Sequence, residues 1–311
     1  MNLKSGISCV QLALLSLALV FSGLAFYEVS AVTVIIGCAV FAAASASLGS
    51  LAAQDGRGVS ACLARLFPRG AEMAAAVLAA FCSAPLFADA LAFGRYTSEI
   101  YAGSVMPAIF FAAGTVLATV LSGYIKVMGR LAEIFGFFAL ACIVLCLFGD
   151  ISADNLRLSG IESIAPLGSA AVPLALCCEA EATSKESHAG PTSAWRLVIS
   201  SSAGAFAGAA LYAYVSLFLF AHGNIAETML VWSSGLLRIA SGIFAVRRLC
   251  AGAHGKTVAA VFAVSVTATG YLLAKKSLSL VTGAAEILNV FLLLILFCLA
   301  VPSLSHVRKS A

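Results

Sequence analysis

Four ionisable side chains sit where an apolar setting makes them expensive: Asp89, Glu179, Glu181 and Arg238. Each lies in or at the edge of a long apolar stretch, where a charge costs about 2.5–3.5 kcal/mol on insertion scales. Such residues face a bundle interior, pair with one another, or handle a charged ligand. An acid serves an ammonium group or carries a proton; Arg238 can neutralise one of these acids inside the bundle. Pro173, in the stretch that leads to Cys177 and the two glutamates, removes a backbone donor and leaves a carbonyl open. A helix there either kinks or breaks. A zwitterionic amino acid needs a partner for its ammonium group and open backbone N–H groups for its carboxylate, and acids beside a broken helix offer both. The candidate ligand-binding set is therefore Ser22, Gly23, Asp89, Pro173, Cys177, Glu179 and Arg238. For Glu179 and Glu181 the alternative is a cytoplasmic helix exit facing Lys185.

Other charges have plainer readings. Glu133 stands three residues after Arg130, and is expected in the first turn of its helix. There a negative charge meets both the arginine and the helix dipole, so Arg130 and Glu133 form a structural pair. Arg95 and Glu99 have i, i+4 spacing and are expected to pair at the outer surface, where Glu286 is solvated. No nucleophile-plus-base set, phosphate loop or metal-type Cys/His spacing occurs, so neither an enzyme nor a metal or cofactor is expected. Most of the ten cysteines lie in apolar stretches and read as small packing residues, Cys82, Cys142 and Cys146 among them.

The elements that must position these residues are membrane spans. The chain has 311 residues, of which 62% are hydrophobic and only 10% charged, too few charges for the surface of a water-soluble domain of this size. The net charge of +4 resides in loops, and the apolar helices present no face to a phosphate backbone, which excludes nucleic acid as a partner. Spans are expected at Ile7–Phe26, Val29–Ala53, Ala71–Phe93, Ser104–Tyr124, Leu131–Phe148, Ile164–Ala180, Ala194–Ala221, Val231–Val246, Thr257–Ala274 and Gly283–Val301. The first is as long as a full span and is read as an uncleaved helix. The eighth is the least regular, because Arg238 interrupts it.

With the N-terminus placed in the cytoplasm, thirteen Lys and Arg fall on the cytoplasmic side and four (Arg95, Arg157, Lys275 and Lys276) outside, with Arg238 within a span. That asymmetry fixes the orientation, with both termini cytoplasmic. The expected fold is an all-α polytopic membrane protein, a single integral membrane domain of about ten helices. Residues 7–149 and 164–302 form nearly equal halves of five spans each, and because five is odd the second half enters from the opposite side. This is the arithmetic of a 5+5 inverted repeat. On that plan the first helix of each half is interrupted, at Ser22-Gly23 and near Pro166, Gly168 and Pro173. Gly204 and Gly208 give span 7 a small-xxx-small face for close helix packing.

Several segments are similar to a known family. Ile7 to Gln11 resembles the Ile-Ser-x-x-Gln with which the B subunits of spore germinant receptors enter their first helix. Leu86 to Pro107, with Arg95 and Glu99, looks like that family's third helix and its exit. Gly123 to Phe138, with its Arg-Leu-Ala-Glu core at Arg130–Glu133, is the best match, and Pro302 followed by Arg308-Lys309 fits the family's ending. The family belongs to the amino acid–polyamine–organocation superfamily, so the resemblance implies a ten-helix inverted-repeat fold. It further implies a subunit that senses a small nutrient, commonly an amino acid, in the inner membrane of a dormant spore, beside a channel-forming A-type subunit and a lipoprotein C-type subunit. The chain departs from the family in a compressed region around spans 7 to 9 and in the Cys-Cys-Glu-Ala-Glu run from Cys177 to Glu181.

Three functions follow as expectations. The first is a non-enzymatic sensor in a bacterial cell membrane or spore inner membrane, with the ligand at the span 1/span 6 break and side chains from spans 3 and 8 closing the site. The second is a secondary transporter for an amino acid coupled to protons or Na⁺, with Asp89, Glu179 or Glu181 as proton carriers. The third is a membrane scaffold that binds lipid and a partner but no ligand. Fold alone does not separate them.

Overall fold

The computed structural model of the chain describes residues 7–27, 63, 67–100, 106–121, 125–148, 192–218, 225–254 and 256–273. Among these residues the elements are all α-helices: α1 (Cys9–Tyr27), α2 (Ala71–Ile100), α3 (Met106–Leu121), α4 (Ile125–Cys146), α5 (Thr192–Phe218), α6 (Ile225–His254) and α7 (Lys256–Leu273). They correspond to expected spans 1, 3, 4, 5, 7, 8 and 9. The expected spans at Val29–Ala53, Ile164–Ala180 and Gly283–Val301 lie outside the described residues.

Among the described residues, three stretches are long and apolar enough to cross a membrane: Ala71–Thr97, Ile125–Cys146 and Thr228–Leu249. At 1.5 Å per residue they measure about 33–40 Å, against a hydrocarbon core of about 30 Å. They differ in surroundings. Thr228–Leu249 is largely enclosed by other helices, whereas Ile125–Cys146 turns much of its surface outward. Phe137 is 74% exposed, and Ile134, Leu140 and Leu145 share the outer side of α4. A face of that kind needs acyl chains, not water, as its solvent. The chain is a membrane-embedded helical protein.

Local signals explain where helices start. Ser8 is the N-cap of α1: the Gln11 N–H donates to Ser8 Oγ at 3.2 Å, and the Ser8 N–H donates to Gln11 Oε1 at 2.9 Å. This reciprocal capping box satisfies two otherwise open donors. Three helices outrun their apolar windows. α2 continues past Phe93 through Arg95 to Ile100, α4 begins at Ile125 and takes in Lys126 and Arg130, and α6 extends from Ile225 to His254. Hydropathy marks where an apolar run ends, but backbone hydrogen bonding continues through Arg, Lys and Glu because they are good helix formers.

α1 lies at the centre, packed on α4, α5 and α6. The expected interruption at Ser22-Gly23 is absent, since α1 is continuous from Cys9 to Tyr27. Its closest neighbour is α5, and the expected small-residue face explains how. A Cβ on Gly204 would collide with the Ala13 carbonyl, and one on Gly208 would stand 2.6 Å from the Leu17 carbonyl oxygen. Ser16 Oγ donates to the Ser201 carbonyl across the same seam at 2.7 Å. Small residues thus let the two backbones meet without a hydrophobic effect to drive them.

The register of these contacts fixes relative directions. Ala13 meets Gly204 and Leu17 meets Gly208, so α1 and α5 are parallel. Ile7 meets Gly129 and Leu14 meets Gly136, so α4 runs the same way. α2 and α6 are antiparallel, through Leu86 with Gly242, Asp89 with Arg238, and Phe93 with Trp232. α3 is parallel to α6, because Gly114 meets Leu236 and the Thr119 carbonyl accepts from Arg247 at 2.9 Å. Only residues 122–124 separate α3 from α4, so the end of one and the start of the other share one side of the bundle. Arg69, Lys126, Arg130, Arg196, Arg247, Arg248 and Lys256 consequently gather at a single end. Arg95 stands toward the other, and Arg238 between them.

Candidate functional site

Arg238 occupies the middle of Thr228–Leu249, in a helix whose neighbouring polar side chains are satisfied locally. Ser234 Oγ donates to the Val231 carbonyl at 3.0 Å and Ser241 Oγ to the Arg238 carbonyl at 2.8 Å, which spares this surface any open hydroxyls. α6 can therefore press closely on α2, where a Cβ on Gly242 would stand 3.0 Å from Leu86. That approach brings Arg238 Nε to 2.8 Å from Asp89 Oδ1. Arg238 NH1 donates to the Leu19 carbonyl of α1 at 2.7 Å. Both charged residues are buried, Arg238 being 2% exposed and Asp89 5%.

Apolar contacts seal the pair on either side along the α2–α6 seam. Leu86 against Gly242 lies toward the basic end, and the tilted Phe93–Trp232 pair, with ring centroids 5.6 Å apart, lies toward the other. Low dielectric strengthens the attraction between two such charges and equally raises the cost of stranding either alone. The site holds three helices through one guanidinium, whose fork of N–H groups suits a carboxylate and a carbonyl at once.

The Leu19 carbonyl also accepts from Ser22 Oγ at 3.1 Å, and Ser22 is fully buried. Ser22, Asp89 and Arg238 are thus brought to one place, with buried Gly23 next in the chain. Pro166, Gly168, Pro173, Cys177, Glu179 and Glu181 lie outside the described residues. So do Lys185, Glu286 and the side chain of Glu99. The acid that Arg238 neutralises, left open among several by the sequence, is Asp89. The eighth span is uninterrupted, because pairing removes the penalty that made it look irregular.

A second polar node forms at the basic end. Arg130 NH1 lies 2.9 Å from Glu133 Oε2, as the spacing predicts. The expected help from the helix dipole is absent, since α4 starts at Ile125 and Glu133 lies two turns further in, beyond the reach of the terminal N–H groups. Its further partner is Gln11, whose Nε2 donates to Glu133 Oε1 at 2.8 Å. One side chain therefore caps α1 through its oxygen and ties α1 to α4 through its nitrogen. Sequence reasoning noticed Gln11 within Ile-Ser-x-x-Gln but gave it no role; the Ser-x-x-Gln capping signature was the available signal. No signal marks the Leu19 carbonyl, because a backbone acceptor looks alike at every residue.

Cys82, Cys142 and Cys146 are buried in the apolar core, as expected for packing residues. Among the described residues, no three His, Cys, Asp or Glu side chains come together as a metal ion would require. No known family model matches the sequence, and no curated protein is significantly similar to it.

Proposed function

We propose that the chain is the B-type subunit of a spore germinant receptor, a non-enzymatic sensor that binds a small nutrient such as an amino acid. The proposed architecture is about ten transmembrane helices in a 5+5 inverted repeat, with both termini cytoplasmic. The helix directions support it, being those that strict alternation gives to spans 1, 5 and 7, to spans 4 and 8, and to span 3 against span 8. The basic end of the bundle is then the cytoplasmic one. Support for the family comes from the short segments around Ile7–Gln11, Leu86–Pro107 and Gly123–Phe138.

The observation that carries the sensing role is the buried Asp89–Arg238 pair, tied to the Leu19 carbonyl at the middle of the bundle. A zwitterion presents the same two charges in reverse, so Asp89 is complementary to its ammonium group and Arg238 to its carboxylate. Ligand binding then exchanges an internal pair for two ligand contacts and changes how α1, α2 and α6 are held. A response of this kind requires that the ligand bind the two arrangements with different affinity. Signalling would pass to A-type and C-type subunits in the spore inner membrane.

Thermal unfolding of the detergent-solubilised protein with a panel of amino acids tests this. Stabilisation by one or a few of them, lost in Asp89→Asn, is the expected result. Equal behaviour with and without every amino acid would overturn ligand binding and leave a scaffold. A proton- or sodium-coupled transporter is the second reading, favoured by a buried acid at mid-span that can carry a proton. Uptake into proteoliposomes under a pH gradient would select it over sensing.

A further inference from the structure

α1 is buried on most sides, yet one strip of it stays open. Val10 is 68% exposed, and Leu14 and Leu17, each a turn further along the strip, are half-buried, whereas Phe21 is fully buried. The strip lies between α4 and α5. Leu14 packs on α4, where a Cβ on Gly136 would stand 3.0 Å from it, and the Leu17 backbone abuts Gly208 of α5. The groove closes at Phe21, whose ring packs on Phe135 of α4 and Tyr212 of α5 with centroids 6.2 and 6.3 Å away. Beyond these rings Tyr214 donates to the Ile143 carbonyl at 3.3 Å and ties α5 to α4. From Val10 to Phe21 the groove runs about 16 Å, close to one leaflet of a hydrocarbon core about 30 Å thick.

Its open end carries the charge. α4 and α5 run parallel, in a register marked by Tyr214 against Ile143. Arg196 precedes Tyr214 by five turns on the same face of α5, and Ile125 precedes Ile143 by the same five turns. Arg196 therefore stands level with Lys126 at the basic end, and both are exposed. Arg130 follows Lys126 by one turn; Glu133, the acid on this rim among the described residues, is already held by Arg130 and Gln11. Positive charge is left in excess at Lys126 and Arg196. We infer that the groove seats one anionic phospholipid of the leaflet at the basic end, with an acyl chain over Val10, Leu14 and Leu17 and the phosphate between Lys126 and Arg196. Each part of that molecule meets its match: an acyl chain needs a leaflet-long apolar trough, and a phosphate suits a guanidinium fork and an ammonium group. A zwitterionic lipid fits the trough equally well, but its own cation opposes the rim. This site needs no nutrient and stands apart from the sensor reading.

Native mass spectrometry of the full detergent-solubilised chain, titrated with dioleoyl phosphatidylglycerol or dioleoyl phosphatidylcholine, tests it. The acyl chains are identical, so a difference reports the headgroup. Phosphatidylglycerol should bind the more tightly. Lys126→Gln and Arg196→Gln should each weaken its binding about fivefold, and Arg69→Gln, ahead of α2, should leave it unchanged. Ala207→Trp tests the trough. Ala207 is exposed two turns before Tyr214 on the same face of α5, so the indole fills the groove without entering the core and should weaken binding of both lipids. Equal affinity for the two lipids, or equal losses in all three charge variants, would mean diffuse attraction to the basic end and overturn the proposal. Unchanged phosphatidylglycerol binding in Ala207→Trp would leave the groove to another occupant, such as a partner's transmembrane helix, and overturn it as well.

Discussion

The two polar nodes of this bundle use the same chemistry in opposite settings. Arg238 meets Asp89 at mid-span, where both side chains are almost wholly buried, while Arg130 meets Glu133 at the basic end with the arginine side chain 75% exposed. At the exposed node, water already solvates each charge, so the pair adds little and its geometry serves mainly to orient Gln11. At the buried node neither charge is tolerable alone. The distance is nearly equal in the two pairs, 2.8 and 2.9 Å, so the difference lies in the surroundings. α1 connects them, with Gln11 at one node and Leu19 at the other.

The sharpest way to break this comparison is to truncate one member of the buried pair. Arg238→Leu or Asp89→Leu should each lower stability by about 3–5 kcal/mol, because the remaining charge is left uncompensated. The double substitution should recover most of that loss. Denaturation of the detergent-solubilised protein supplies the cycle, and additive losses would show that the two residues do not act as a unit.

The link between the nodes is the next target. Gly204→Ala places a methyl group against the Ala13 backbone, which cannot move aside, and should cost about 1–3 kcal/mol as α1 and α5 separate. Gly129→Ala meets side chains and no backbone, the end of Gln11 at 2.9 Å and Ile7 Cγ1 at 3.2 Å. There the gain in helix propensity, about 1 kcal/mol, offsets the displacement, so stability should hardly change. Equal losses in the two variants would contradict the backbone contact between α1 and α5.

Smaller effects belong to the exposed node. Ser8→Ala removes the N-cap of α1 and should cost about 0.5–2 kcal/mol, confined to the first turns in hydrogen exchange. Arg130→Ala should leave the unfolding midpoint unchanged within experimental error, and any difference should vanish at high salt. The buried pair should be indifferent to salt. An Arg130→Ala loss as large as that of Arg238→Leu would erase the distinction between the nodes.

Legibility in the sequence followed distance along the chain. Arg130 and Glu133 were readable as a pair because three residues on a helix bring side chains together whatever else happens. The Gly204/Gly208 face was readable for the same reason, although its partner was not. Asp89 and Arg238 were each conspicuous as charges in apolar surroundings, yet nothing local says which acid an arginine 149 residues away will meet. That choice belongs to the antiparallel register of α2 and α6, set by Gly242 making room for Leu86.

By itself the sequence determined that this is a helical, membrane-embedded chain and which residues lipid would not tolerate unpaired, because hydropathy and charge are properties of residues taken singly or a turn apart. It also anticipated the gathering of basic residues at one end, since alternating helices must return their loops to the same side. Only the tertiary structure decided that Arg238 answers Asp89, that Gln11 joins α1 to α4, and that α1 stays closed at Ser22-Gly23. Each of those depends on a partner brought from far along the chain, and Leu19 contributes through a backbone oxygen that no side chain advertises.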